Sequence, residues 1–207
     1  MTFQKRMGQR CEAIGVELEA QSWDRIEILL KLWRSYGRSM NILGNSSASE
    51  LDEHVLEAIS VIALAQKIGI TGAWLDVGSG GGFPALVIAA CVENEMVLAE
   101  PRAKRAAFLE MALSQIKRSD CHVRRARVQI GEWEDLDNLQ YDLPEFEIVD
   151  SRAVFSPEEW ISVGKSWSSS WVFAHLRQQD ASMIGEHGEA KFICEDSSWS
   201  IRAFPVK

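Results

Sequence analysis

A chain of 207 residues, 46% hydrophobic and 25% charged, can build one core of roughly 150 to 200 residues, which excludes a mini-protein and a disordered, collagen-like or disulfide-stapled chain. The net charge of −8, from 22 basic and 30 acidic residues, argues by itself against a nucleic-acid partner. Four cysteines, Cys11, Cys91, Cys121 and Cys194, stand far apart with no CxxC pair, as expected of reduced thiols in a cytoplasmic protein.

The first ten residues are basic, but no apolar stretch follows them. The longest uncharged apolar run, Phe83 to Val92, is about half a membrane span, so a soluble protein with no membrane partner is expected. Ile26, Leu29, Leu30 and Trp33 recur at i, i+3, i+4 and i+7 and predict a helix beginning after Ser22 or Trp23. Residues 37–47 read as a break. Ser49 and Asp52 form a capping-box pattern, and Val55, Ile59, Ile62 and Ala65 carry a second helix to about Gly69.

After Thr71-Gly72 the period changes. Ala73 to Val77 is a short apolar strand, followed at once by Gly78-Ser79-Gly80-Gly81-Gly82-Phe83-Pro84, with a helix expected from Pro84 onward. Met96 to Ala99 is a second strand ending at Glu100. Arg105, Phe108, Leu109, Ala112 and Ile116 mark the next helix, His122 to Val128 a third strand and Phe146 to Asp150 a fourth. Ser156-Pro157-Glu158-Glu159 combines an N-cap, a proline at N1 and an acid at N3, so a helix runs on towards Trp167. Late strands follow at 171–176, 192–194 and 199–206. This alternation predicts an α/β fold whose mostly parallel sheet is covered on both faces.

A glycine turn between a first strand and a first helix aims backbone N–H groups at a ligand. Here Gly78, Gly80 and Gly82 follow Asp76, and Glu100 ends the next strand, where a carboxylate can accept from both hydroxyls of a ribose. The ligand is a dinucleotide or S-adenosylmethionine. Phe83 stands where the third small residue of a dinucleotide fingerprint belongs, which favours S-adenosylmethionine.

Three motifs in this order, residues 76–84, Lys104-Arg105-Ala106-Ala107-Phe108-Leu109 and Ser151-Arg152-Ala153, resemble the glucose-inhibited division protein B family over roughly residues 23 to 180. Those are bacterial methyltransferases acting on N7 of a guanine in small-subunit (16S) ribosomal RNA. The resemblance implies a Rossmann-like methyltransferase sheet of about seven strands over 71–207, behind an N-terminal helical extension over 1–70. It implies S-adenosylmethionine as cofactor, held by Asp76, Gly78, Gly80, Gly82, Phe83 and Glu100, with Val128 and Gln129 by the adenine and Arg152 at the edge between cofactor and substrate. Lys104, Arg105, Arg124, Arg152 and Arg177 form the expected substrate side, facing ribosomal RNA or the small subunit. Arg177 stands at a family lysine and offers a planar fork in place of a point charge.

Some positions depart from the family pattern. Glu53-His54 and Glu57-Ala58 replace Arg-His and Asp-Ser, Asn41-Ile42-Leu43 replaces Asn-Leu-Thr, Glu100-Pro101 replaces Asp-Ser, Gln129 replaces an acid and Gln178 a glycine. With the −8 charge, Glu53 favours a second reading, a paralogue acting on a small metabolite. A third is a non-catalytic protein that binds S-adenosylmethionine.

Residues 101–128 hold eight of the 22 basic residues and two of the 30 acids, as either a solvated face or a phosphate-facing patch. Arg124, Arg125 and Arg127 alternate along the expected third strand and make one side of it basic. His54, His122, His175 and His187 lack metal-ligand spacing, so no metal is expected, and they read as surface or satisfied core residues. The eight tryptophans read as core, with Trp167, Trp171 and Trp199 as alternatives for stacking a base. No hydrolase motif stands out. N7 of guanine carries an available lone pair, so no catalytic base is named; in-line placement should supply the rate.

Overall fold

The computed structural model describes residues 3–37, 48–139, 142–152, 154–177, 190–195 and 199–206. Three helices come first, α1 (Phe3–Ala13), α2 (Ala20–Tyr36) and α3 (Ala48–Ile68). Strand–helix alternation follows: β1 (Ala73–Val77), α4 (Ala85–Cys91), β2 (Met96–Ala99), α5 (Ala103–Gln115) and β3 (Cys121–Arg124). Then come β4 (Ala126–Gln129), β5 (Glu132–Asp135), β6 (Phe146–Ser151), α6 (Pro157–Trp167), β7 (Ser168–Arg177), β8 (Phe192–Glu195) and β9 (Trp199–Pro205).

Seven strands form one sheet in the order β3-β2-β1-β6-β7-β9-β8. The first five are parallel, and β9 runs antiparallel to both neighbours. This is the expected Rossmann-like methyltransferase sheet. Chain order reverses at β1, whose neighbours are β2 and β6, and in open sheets the ligand crevice opens at the strands' carboxyl ends at such a switch point. The central strands are almost wholly apolar because both faces are covered. On one face α1, α2 and α3 share a core with α4, α5 and the sheet, running from Met7 through Trp33, Ile59 and Leu86 to Phe173 and Ala203. On the other, Leu75, Val97, Val149 and Phe204 pack with Val128 and with Trp160 of α6. The α6 cap forms as expected, with Glu159 N–H donating to Ser156 Oγ at 3.3 Å.

Three elements differ from the sequence reading. Helix α1 has no counterpart there, because only Met7 and Cys11 of its eleven residues are buried and two positions set no periodicity. The expected strand over 122–128 is two strands. β3 stays with β2, while β4 turns into an antiparallel hairpin with β5, reversing at Gly131 with φ of +63°. Strand β7 begins at Ser168, directly after α6, because Ser168 Oγ accepts from the backbone N–H groups of Ser170 and Trp171 and orders the junction.

The four cysteines form no disulfide with one another. Among the described residues no helix is long and apolar enough to cross a membrane, and no group of three His, Cys, Asp or Glu could hold a metal ion. Asn41-Ile42-Leu43, Ala153, Gln178 and His187 lie outside the described residues.

Candidate functional site

Strand β1 delivers the chain into the glycine turn at the carboxyl edge of the sheet. Gly78 N–H and Ser79 N–H donate to Ala99 O at 2.8 and 3.2 Å, tying the turn to the end of β2. Glu100 completes the tie: its Oε2 accepts from Gly80 N–H at 2.8 Å and its Oε1 from Arg102 N–H at 2.9 Å. From the other side, α2 supports the turn. Trp33 Nε1 donates to Gly81 O at 2.8 Å, and its ring stacks on Phe83 at 4.0 Å between centroids. His54 of α3 packs on the same Phe83 at 5.2 Å.

A cavity of about 510 Å³ opens over this turn, lined by Gly78 to Gly81, Phe83 and Glu100, with Arg102, Arg105, His54 and Arg152 around it. That volume lies within the range of roughly 300–1,000 Å³ usual for cofactor sites. Each Glu100 oxygen accepts one backbone bond and keeps a second lone pair, so the carboxylate can still receive ribose hydroxyls. The residues present therefore fit S-adenosylmethionine.

Gly80 has φ of +56°, a conformation that strains a β-branched residue by about 1–3 kcal/mol. A Cβ there would meet only ordinary contacts, Gly78 O at 3.6 Å and Arg105 Nη1 at 3.7 Å, so the cost falls on the loop's backbone. Gly80→Val is expected to weaken S-adenosylmethionine binding about tenfold or more, since 1.4 kcal/mol is a factor of ten. Calorimetric titration checks this, and unchanged affinity would place the cofactor elsewhere.

Not every residue expected at the cofactor lines this cavity. Asp76 is buried in β1 below the turn, and Gly82 is buried against Leu86, whose side chain a Cβ would strike. Val128 belongs to the opposite core, because the hairpin carries β4 away from the sheet edge. Gln129 is exposed, and its carbonyl accepts from Trp167 Nε1 at 2.7 Å.

The basic segment is dispersed as well. Arg118 has a fully buried side chain that donates to the carbonyls of Ala89, Val92 and Asn94 and pairs with Asp120 at 2.8 Å, so it braces the fold. Arg125 pairs with Asp137 at 2.5 Å and Arg127 with Glu134 at 2.9 Å, which removes the expected basic strand side. Arg124 lines a separate cavity with Lys117 and His122. Lys104 is exposed at the start of α5 and lines neither this cavity nor the one described next.

That second cavity, of about 550 Å³, adjoins the first and shares His54, Arg152 and Val154 with it. Glu53, Glu57, Phe155, His175, Arg177 and Trp199 also line it, which brings Arg152, Arg177 and one of the three candidate stacking tryptophans together. Arg152 does not pair with Asp150, its neighbour in sequence. Its Nε donates to Glu57 Oε1 at 3.1 Å, its Nη2 lies 3.0 Å from Glu57 Oε2, and His54 Nδ1 is 3.1 Å from the same Nη2.

Beneath the arginine, His175 Nδ1 lies 2.9 Å from Glu57 Oε1 and Nε2 lies 3.0 Å from Asp150 Oδ1. Asp150 is the register partner of Asp76. Sequence reasoning left Glu57 as a departure from the family pattern, and His54 and His175 as surface or satisfied core residues. An arginine after the fourth strand needing an acid was the only available signal.

Burial raises the Asp76 carboxyl, and with Asp150 opposite it is pushed up to about 7. Burial also opposes charge on His175, but Asp150 and Glu57 outweigh it and raise the ring to about 10. Burial likewise opposes charge on Glu57, yet His175, His54 and Arg152 hold it well below the usual carboxylate range.

A histidine raised in the folded state stabilises fully below its unfolded value of about 6.5 and loses that contribution as pH climbs. Asp76 acts in the same sense, losing stability up to about 7. Unfolding free energy is therefore expected to fall between about pH 6.5 and 8.5, with the buried thiols Cys11, Cys91 and Cys121, raised by burial, adding to the fall near its upper end. Denaturant titrations at both values test this; equal or greater stability at pH 8.5 would contradict a charged His175.

The family model of rRNA small subunit methyltransferase G matches residues 23–201. Among curated relatives, a ribosomal RNA small subunit methyltransferase G of Erythrobacter litoralis is 33% identical over 128 residues, covering 61% of this chain and 58% of that one. A Brucella ovis protein of the same name is 28% identical over 174 residues, covering 78% of this chain and 76% of its own. Among solved structures, an O-methyltransferase from Bacillus cereus in complex with SAH has the same fold at a TM-score of 0.56, 12% identity and full coverage of both chains.

Proposed function

The chain belongs to the rRNA small subunit methyltransferase G family, and on that premise we propose that it transfers a methyl group from S-adenosylmethionine to N7 of a guanine in small-subunit ribosomal RNA. The observation that carries this reading is the pair of adjoining cavities. One is walled by the glycine turn and Glu100, the other by Arg152, Arg177 and Trp199. Arginine forks suit both phosphate and the O6 and N7 edge of guanine.

S-adenosylmethionine, when bound, supplies an electrophilic methyl on a sulfonium. The chain's own part is placement. The glycine turn and Glu100 hold the nucleoside, Arg152 stands at the wall common to both cavities, and Arg177 and Trp199 bound the acceptor side. Alignment of a lone pair already present needs no proton transfer, and such positioning converts an encounter into a near-unimolecular step. Residues 1–70 act as a helical extension that carries His54 and Glu57 to this wall, and 71–207 carry the methyltransferase fold. Ribosomal RNA as acceptor fits a cytoplasmic protein.

Family membership favours RNA over a small metabolite and over a non-catalytic role, and with residues 101–128 dispersed the RNA reading rests on that membership and on Arg152 and Arg177 in the second cavity. The test is transfer of labelled methyl groups to small ribosomal particles and their deproteinised RNA, against a small-molecule extract. Label recovered as 7-methylguanosine is the expected result. Label confined to the extract would overturn the reading.

A further inference from the structure

A cluster of ionisable side chains lies at the floor between the two cavities, joining Asp150, His175, Glu57 and Arg152. His175, on β7, has a side chain only 4% exposed, with a carboxylate oxygen within 3.0 Å of each ring nitrogen. A neutral ring has one N–H and one lone pair, and the lone pair would face a carboxylate. Glu57 must be ionised, since both its oxygens also receive the Arg152 guanidinium at 3.0 and 3.1 Å. Both ring nitrogens therefore donate.

We infer that His175, held as an imidazolium between Asp150 and Glu57, is the positioning residue that fixes the Arg152 guanidinium at the wall shared by the two cavities. This deepens the reading of the site as a methyltransferase and rests on it for the role of Arg152. The chain of contact is continuous: β6 presents Asp150, β7 presents His175, α3 presents Glu57, and the residue after β6 presents Arg152. Without His175, Glu57 Oε1 loses the ring nitrogen at 2.9 Å that it engages together with Arg152 Nε, so the orientation of the carboxylate under the guanidinium is no longer fixed from the sheet side. His175 supplies a positive charge that faces Asp150 on one side and Glu57 on the other.

The charged and titratable groups around the ring are Glu57 and His54 from α3, Asp150 and Arg152 from β6 and its end, and Asp76 from β1. On β9 the register partner is the uncharged Ile201.

His175→Gln keeps the approximate size and one donor but removes the charge. Three measurements decide. In the parent protein, histidine ring nitrogen NMR is expected to show one residue with both nitrogens protonated at pH 8; a neutral ring there overturns the inference without any variant. The Arg152 Nε proton, bonded to Glu57, is expected to lose at least tenfold of its protection from solvent exchange in His175→Gln, whereas unchanged protection overturns it.

In methyl transfer, His175→Gln is expected to lower kcat at least tenfold with the KM for S-adenosylmethionine within threefold. If His175 acts through Arg152, the double variant with Arg152→Ala turns over within threefold of Arg152→Ala alone. Losses that multiply would show that His175 acts by another route. A parent that transfers nothing to RNA would overturn the substrate reading alone, because the ring and exchange signals report on His175 without turnover.

Discussion

Arg152→Lys should lower methyl-transfer turnover about a hundredfold while moving the melting temperature by only a few degrees, the signature of a lost positioned contact rather than a lost fold. The guanidinium engages Glu57 through Nε and Nη2 together, and its side chain is 30% exposed where it borders both cavities. A lysine keeps the charge but offers a point, so it can satisfy Glu57 or face the acceptor and cannot present a fixed plane to both. The buried carboxylate still finds a cation, which limits the cost to stability. Turnover and thermal unfolding measured on the same preparation check this, and full activity in the variant would remove Arg152 from the reaction.

The half of the site that was legible in the sequence is the half whose bonds are local. Gly80 and Glu100 are 20 residues apart and follow the ends of consecutive strands, so the order strand, glycine turn, helix, strand, acid specifies their meeting without knowledge of the sheet. Arg152 and Glu57 are 95 residues apart and His175 and Glu57 are 118 apart. No periodicity encodes such pairs, because they depend on which strand lies beside which and on where α3 lands.

The hairpin was misread for a related reason. Alternation over residues 122–128 is equally compatible with one strand or with two that diverge at Arg125, and the choice is made by the pairing of β3 with β2 and of β4 with β5. Val128 and Gln129 fall outside the lining of the cavity over the glycine turn for that reason.

The largest expected effect on stability comes from a residue outside the sheet. Trp33→Ala should cost about 3–5 kcal/mol, the range for removing a buried Trp or Phe. At roughly 2–4 °C per kcal/mol for a chain of this size, a fall in melting temperature on the order of 10 °C follows. Trp33 is almost fully buried, stacks on Phe83 and donates to Gly81 O. Its removal opens a void and also frees the carbonyl and ring that border the cofactor cavity, so affinity for S-adenosylmethionine should fall with it. Trp33→Phe narrows the comparison: a six-membered ring remains to stack on Phe83, while the hydrogen bond to Gly81 O, about 0.5–1.5 kcal/mol, is lost with part of the indole's volume. Unfolding curves and calorimetric titration on both variants test the scheme, which fails if Trp33→Ala destabilises the fold yet binds cofactor as the parent does.

Met7 and Ala203 lie in one continuous core, and this sets a timetable for synthesis. During translation the apolar faces of α1, α2 and α3 leave the exit tunnel well before the last sheet residues they pack against are joined to the chain. From the end of α3 at Ile68 to Ala203, at about 5–20 residues per second, they wait roughly 7 to 30 seconds. Through that interval the nascent chain carries an open greasy surface to which a trigger-type holding chaperone can bind, and folding that closes the sheet must finish after release.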